Sequence, residues 1–424
     1  MGGRVPGPEG RPQLPVRVGP RRHATTGTAA RGPSETRTYT GHTSSTRGGG
    51  TRDRRHRARD QDRGVPRGPH PRGRRGHRRR GHHVLVETGA GVGSNYHDIE
   101  YRDAGAEVLP TPQDVYARAE LMCEVKEPQP QEYDLLREGQ ILFTYLHLAA
   151  EPHVTDAIIR SRCIAIGYET VRRDDGFLPL LAPMSEVAGR MAVELGAHYL
   201  KRPGPGRGML LGGLPGVPPA HVVIVGSGNV GKNAVRAAVG FGARVSVVSI
   251  DENQLRHLED EYQGRIETVL ASPHAIASVV AGADLLVGAV LVEGRRAPVV
   301  VTRQMVRTMG AGAVIVDVAV DQGGCVETTR PTSHVDPVYV EEGVVHYAVP
   351  NMPGAVPRTS SRALTGLTLP YILRVANEGF AAAVRRDAAL RRGVNAYRGV
   401  LTHEAVASSL GRPWTPIEEL LPPD

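Results

Sequence analysis

Cysteine is scarce: Cys123, Cys163 and Cys325 are the only three in 424 residues. They are scattered, odd in number and without metal-ligand spacing. That excludes a disulfide-stapled scaffold, gives no metal site and fits a reducing compartment. Long apolar runs are missing as well. No stretch reaches the ~18 residues of a membrane span, and no secretory apolar region opens the chain. The expectation is a cytoplasmic protein with no membrane anchor.

What charge there is divides unevenly. The net charge is +8, but residues 1–80 hold 21 Arg, no Lys and 5 acidic residues, a local balance of +16. The remainder holds 31 basic and 39 acidic residues, a balance of −8. The body is therefore an ordinary acidic protein, and the basic character belongs to the leading segment. That segment is Arg, Gly, Pro, Thr and His without apolar periodicity, so it has little to offset ordering entropy. Three readings stand: an arm that binds nucleic acid through its arginines, a tail without a role, or GC-rich coding sequence read out of frame.

From residue 81 the text alternates between strands and helices. His83–Glu87 reads as a strand, followed by the glycine-rich turn Thr88–Gly93. Short helices are expected at Ile99–Ala104 and Pro112–Ala119. Strands follow at Leu121–Val125, Ile141–Tyr145 and Ile164–Tyr168, with Lys126, His147 and Glu169 just past their ends. Pro183–Leu200 has the spacing of a long helix, and a Gly/Pro loop covers Pro203–Pro219. A second block gives strand Val222–Val225, helix Lys232–Phe241, strand Val245–Ile250 and helix Glu252–Tyr262. Further strands are expected at Leu285–Gly288, Val314–Val318 and Val344–Ala348, and helices at Leu364–Asn377 and Phe380–Arg386. Such alternation predicts an α/β fold with mostly parallel sheets.

The most specific motif is Gly226-Ser-Gly228-Asn-Val-Gly231, placed directly between an apolar strand and a helix. Gly226 permits a tight turn, Gly228 lets backbone approach a pyrophosphate, and Gly231 lets helix pack on strand. The helix N-terminus then faces the phosphates of a dinucleotide. One element is off pattern. Ser249 stands at the end of the second strand, where an acid normally meets the adenosine ribose. Asp251, two residues on, either replaces that acid or caps the next helix.

Several strings together resemble one family, the bacterial alanine dehydrogenases. They are Glu87-TGAG-Val92-Gly-Ser94, Val125-Lys126-Glu-Pro128, Gly139-QILFTYLHLAA-Glu151, Pro183-MSEVAGRMA-Val193, Gly208-MLLGGLPGVPPA-His221, Val316-DVAVDQGG-Cys325 and Asn351-MPGAVPRT-Ser360. The resemblance covers residue 81 to the end of the sequence, and the nucleotide-binding subunit of NAD(P) transhydrogenase is the nearest other relative. It implies two Rossmann-like domains with a cleft between them: a substrate domain from 81 to 182, an NAD-binding domain from 183 to 357, and C-terminal helices at 358–424 returning to the first. It implies a homohexamer, and NAD as cofactor.

The resemblance also implies roles. Lys126 would hold the substrate's carbonyl and carboxylate, and His147 and Asp321 would be catalytic. Ser185, Asn229, Val230, Val290, Leu291, Val318, Asp321, Val349, Asn351 and Met352 would line the cofactor, with the glycines and Ser249. The implied reaction is reversible conversion of L-alanine to pyruvate and ammonia. Hydride leaves the α-carbon, water adds to the iminium ion, and ammonia departs. Such proton transfers call for an imidazole titrating near neutrality, and an ammonium suits the carboxylate and carbonyl oxygen. The alternatives are a transhydrogenase-like nucleotide binder without substrate chemistry and, in a different class, nucleic-acid binding through the arm.

Two departures from the family pattern matter. The family opens with a strand and a stretch resembling Glu-Ile-Lys-x-x-Glu-x-Arg-Val-Ala-Leu-Thr-Pro, whose arginine holds the substrate carboxylate. This chain has Asp60-QDRGVPRGPHPRGRR-Gly76 there. Read one nucleotide later, Asp60 through Pro71 is consistent with Ile-Lys-Thr-Glu-Glu-Tyr-Arg-Val-Ala-Leu-Thr-Pro. The expectation is that residues before about 80 are frame-shifted text, that the first strand is lost, and that a substrate-binding guanidinium goes with it. The second departure is Ser249, which lifts the repulsion that excludes a 2′-phosphate and makes NADP tolerance the expectation beside NAD.

Overall fold

The computed structural model describes residues 17–19, 81–290, 292 and 296–423. The Arg-rich segment outside 17–19, the frame-shift reading that falls on it, and Leu291 lie outside the described residues.

Fifteen strands are present among them. The first stretch supplies β1 (Arg17–Gly19), β2 (His83–Glu87), β3 (Glu107–Leu109), β4 (Leu121–Cys123), β5 (Ile141–Thr144) and β6 (Ile164–Gly167). The middle supplies β7 (His221–Val225), β8 (Arg244–Ser249), β9 (Glu267–Leu270), β10 (Leu285–Gly288), β11 (Val314–Asp317), β12 (Val338–Glu341) and β13 (Val344–Tyr347). Near the end come β14 (Val394–Tyr397) and β15 (Val400–Leu401). They make two sheets, ordered β15-β14-β6-β5-β4-β1-β2-β3 and β12-β13-β11-β10-β7-β8-β9.

The second sheet is parallel except for its edge strand β12. Beside its central strand β10 lies the run His221-Val-Val-Ile-Val225, buried at all five positions. Helices cover both faces of such a sheet, which is why the run is continuously apolar rather than alternating. Val222 and Ile224 pack on one face with Val235 and Leu255. Val223 and Val225 pack on the other with Ile276 and Val306. The helix Ala182–Tyr199 joins the two sheets.

The structure corrects two expectations. The first strand is not lost: Arg17–Gly19 lies antiparallel between β2 and β4, with Val18 opposite Val84 on one side and Leu121 on the other. Two strand edges facing one slot leave unpaired backbone groups, and any short extended segment that satisfies them is favoured. The C-terminal return is also more than helices. After Pro357–Glu378 and Phe380–Arg386, β14 pairs with β6, and β15 pairs with β14. Four buried residues in a row, Val394–Tyr397, are too few to announce a strand by periodicity. The expected helix at Lys232–Phe241 begins three residues earlier, at Asn229, because the glycine turn feeds straight into it.

Candidate active site at the facing sheet edges

In each sheet the parallel strands end side by side, and the residues past those ends form the site. In the first sheet β4, β5 and β6 are in register, Cys123 beside Phe143 and Phe143 beside Ile166. The chain then emerges as Lys126 and Glu127, as His147, and as Glu169. Thr144 Oγ1 donates to the Lys126 carbonyl at 2.9 Å, tying the first two ends together.

His147 is held from two sides. Its Nδ1 lies 2.9 Å from Glu127 Oε2. Opposite a carboxylate, Nδ1 carries the proton, so Nε2 is the nitrogen free for chemistry. Its backbone has φ +49°, a left-handed conformation that only over-determined non-glycine residues keep. What fixes it is Glu169, whose carboxylate accepts the backbone N–H groups of Leu146 at 3.0 Å and of His147 at 2.8 Å.

Glu127 is nearly enclosed, and burial pushes its carboxyl upward. The hydrogen bond from His147 and the charge of Lys126 outweigh that and bring it down to about 2. A carboxylate with a depressed folded-state pKa stabilises the fold above its ordinary range, and the contribution is lost as pH falls toward the folded value. We therefore expect on the order of 3 kcal/mol to disappear between about pH 4.5 and pH 2, at 1.36 kcal/mol per unit. Acid unfolding of Glu127→Gln should lack that component; an unchanged acid limb would contradict it.

From the second sheet comes Asp321. β11 ends in Asp317, buried, whose carboxylate accepts from the backbone N–H groups of Ala319, Cys325 and Val326 and from Thr329 Oγ1. Burial raises this carboxyl above the usual range, against those hydrogen bonds. The knot fixes the short helical turn Val318–Gln322. Asp321 on that turn accepts the Asn351 N–H at 3.0 and 3.1 Å. It also faces across to the other sheet, where Lys126 Nζ lies 3.6 Å from its Oδ1. Lys126, His147 and Asp321 are thus brought together, the last two lining one cavity of about 300 Å³ with Glu169, Arg296, Gln322 and Gly323.

A larger cleft of about 1150 Å³ opens at the carboxyl edge of the second sheet. Gly226, Gly228, Asn229, Ser249 and Val290 line it. Gly226 has φ +110°, and a Cβ there would meet the Ala289 carbonyl oxygen at 2.4 Å. A Cβ on Gly231 would sit 1.9 Å from the Gly226 carbonyl oxygen, whereas one on Gly228 meets nothing within 4 Å. The turn is therefore closed on its inner side and open toward the cleft at the head of a twelve-residue helix, a geometry that fits a pyrophosphate. Val230 is on that helix behind the cleft. Val318, Val349, Asn351 and Met352 do not line the cleft; they follow the ends of β11 and β13 on the same sheet edge, near Asp321. Ser185 lies half-buried in the first turn of Ala182–Tyr199.

At the ribose end, Ser249 Oγ lies 2.6 Å from Ser227 Oγ and accepts the Asp251 N–H at 3.1 Å. Asp251 is the N-cap of Glu252–Tyr262, its carboxylate accepting Gln254 N at 3.1 Å and Gln254 Nε2 at 2.8 Å. Asp251 thus caps the helix, and its carboxylate also borders the cleft. Glu127 is the residue that sequence reasoning passed over. It stands beside Lys126 in a string that was noticed, yet only the pairing of β4 with β5 sets it opposite His147.

Comparison with known proteins identifies relatives over most of the chain. The family described as alanine dehydrogenase/PNT matches with its N-terminal domain over residues 68–188 and its C-terminal domain over 192–404. Alanine dehydrogenase of Methanococcus maripaludis is 51% identical over 342 residues, 80% of this chain and 92% of that protein. Alanine dehydrogenase of Bacillus subtilis is 52% identical over 342 residues, 80% of this chain and 90% of that protein. Among solved structures, an L-alanine dehydrogenase superposes with a TM-score of 0.72 at 50% identity, covering 77% of this chain and 90% of that one. A transhydrogenase of Sinorhizobium meliloti gives 0.62 at 25% identity, covering 76% and 90%.

Proposed function

Because the chain belongs to the alanine dehydrogenase/PNT family, we propose that it catalyses the reversible, NAD-dependent oxidative deamination of L-alanine to pyruvate and ammonia. The observation that carries this reading is the meeting of Lys126 with Asp321, and of His147 with Asp321, where the two sheet edges face each other. A nucleotide binder without substrate chemistry has no need of that triad.

A bound nicotinamide would supply the hydride acceptor for the α-carbon of alanine. The remaining work falls to side chains. Lys126 draws electron density from the carbonyl oxygen and balances the Asp321 charge. His147, its Nδ1–H directed at Glu127, uses Nε2 to take and return the protons of the carbinolamine stage. Asp321, anchored by the Asn351 N–H, orients the attacking water or ammonia. We assign Ser185, Gly226, Gly228, Asn229, Val230, Gly231, Ser249, Val290, Leu291, Val318, Val349, Asn351 and Met352 to the cofactor. The division at 81–182, 183–357 and 358–424 is our domain assignment. We further propose a cytoplasmic homohexamer that acts on small molecules rather than nucleic acid. No helix among the described residues is long and apolar enough to cross a membrane.

Absorbance at 340 nm with L-alanine and either cofactor tests the reading; absence of reduction with both sinks it. Ser249, paired with Ser227, stands at the strand end where an acid normally excludes a 2′-phosphate, and this supports tolerance of NADP beside NAD. Ser249→Asp is expected to raise the ratio of NAD⁺ to NADP⁺ specificity by roughly 10-fold or more, as a charge-assisted hydrogen bond of about 1.5–3 kcal/mol is gained with the 2′-hydroxyl. An unchanged ratio would remove Ser249 from cofactor choice.

A further inference from the structure

The small cavity has an electrostatic problem. Two carboxylates, Glu169 and Asp321, line it together with His147. Alanine and pyruvate each bring a third. Lys126 is already drawn to Asp321 at 3.6 Å, so it offsets one charge and leaves those of Glu169 and of the substrate to be met among the described residues.

One further cation reaches this wall. Arg296 lines the cavity beside Asp321, Gln322 and Gly323. Its position is set by the turn that carries Asp321. The Ala297 N–H donates to the Gln322 carbonyl at 2.8 Å, pinning the Arg296 backbone to that turn. The side chain then lies across Gly323. A Cβ at residue 323 would come within 2.5 Å of Arg296 Nε, 2.9 Å of its Cγ and 3.2 Å of its Cδ. With φ +96° at Gly323, the turn both needs a glycine and leaves the space that the arginine fills. Among the described residues no carboxylate pairs with Arg296, in contrast to Arg303, Arg307 and Arg392, each of which has its acid.

We propose that Arg296 is a substrate-binding residue, its guanidinium gripping the substrate carboxylate at the cavity wall opposite His147. The proposal rests on the alanine dehydrogenase reading. A planar fork of donors matches a carboxylate bidentately, which a lysine ammonium does not. It also keeps the α-carbon fixed relative to His147 and Asp321, because Arg296 and Asp321 belong to one hydrogen-bonded turn. The guanidinium that the family draws from its N-terminal stretch has, in this chain, a counterpart on the other side of the cleft.

The test is steady-state kinetics of the full chain against Arg296→Met and Arg296→Lys, in both directions. Oxamate binding to the NADH complex, read by NADH fluorescence, is the independent measure, since oxamate carries the carboxylate and cannot be reduced. In Arg296→Met the KM for pyruvate and alanine and the Kd for oxamate should each rise about 10- to 100-fold, the range of a lost charge-assisted pair. The KM values should rise more than kcat falls, the KM for ammonia and the Kd for NADH should stay put, and Arg296→Lys should recover part of the loss. Unchanged KM and oxamate affinity in Arg296→Met, with alanine turnover in the parent chain, would overturn the role of Arg296 and leave the function standing. Loss of NADH affinity in parallel would reduce Arg296 to a structural support. A parent chain that neither oxidises alanine nor binds oxamate would overturn both.

Discussion

His147→Ala should lower kcat for alanine oxidation by about 10²- to 10⁴-fold, the range of a removed general acid–base group. NADH affinity should be unaltered, because the imidazole is not among the residues that line the dinucleotide cleft. Glu127→Gln is the informative companion. A neutral amide still offers an oxygen to Nδ1–H, so the ring stays oriented, but the negative charge that stabilises the imidazolium is gone. Its kcat should fall by about 10-fold, because the charge beside the ring is lost while the ring's orientation is kept. A His147→Ala enzyme within about 3-fold of the parent would remove His147 from the mechanism. A Glu127→Gln kcat equal to the parent's would remove Glu127.

Gly231→Ala and Gly228→Ala should part company. At 231 the added Cβ would have to occupy a point 1.9 Å from the Gly226 carbonyl oxygen, so the turn and the helix must separate. Overpacking against backbone costs about 1–3 kcal/mol or more, so the thermal midpoint should drop and NADH affinity with it. At 228 the same methyl meets nothing within 4 Å. Stability should therefore be nearly unchanged while NADH affinity falls at least 10-fold, because the methyl intrudes where phosphate oxygens approach the backbone. Melting curves and NADH fluorescence titrations separate the two. Equal dinucleotide affinity in Gly228→Ala and parent would mean that the glycine turn does not cradle a pyrophosphate.

Much of this was readable from the residues, and the pattern of what was missed has a physical cause. The strands His83–Glu87 and Leu285–Gly288 and the helices Glu252–Tyr262 and Phe380–Arg386 have the limits that sequence reading gives them. Each is bounded by glycine, proline or a capping acid and buries a coherent face. Glu107–Leu109 and Glu267–Leu270 escaped because they are edge strands, short and half-exposed, with no run of apolar residues. Lys126, His147 and Glu169 stood out as residues just past strand ends. The partnership of Glu127 with His147 did not, since it depends on which two strands lie side by side. The sequence offers Asp251 as helix cap or ribose ligand, and the structure shows the cap, made by a local bond to Gln254. Arg296 ends a polar Gly-Arg-Arg stretch of sequence, where nothing distinguishes a solvated arginine from one laid over a glycine.

The three-residue strand Arg17–Gly19 has a consequence for how this protein tolerates being cut. It is the splice between the β2–β3 pair and the strands from β4 to β15. Shortening the chain to begin after residue 80 would leave β2 and β4 with raw edges across a gap of roughly two strand spacings, about 10 Å. Strand edges in that state seek partners, and the nearest ones in a concentrated solution are those of other copies. Trimming the arginine-rich segment to improve solubility would then have the opposite effect, turning a closed seam into a sticky one.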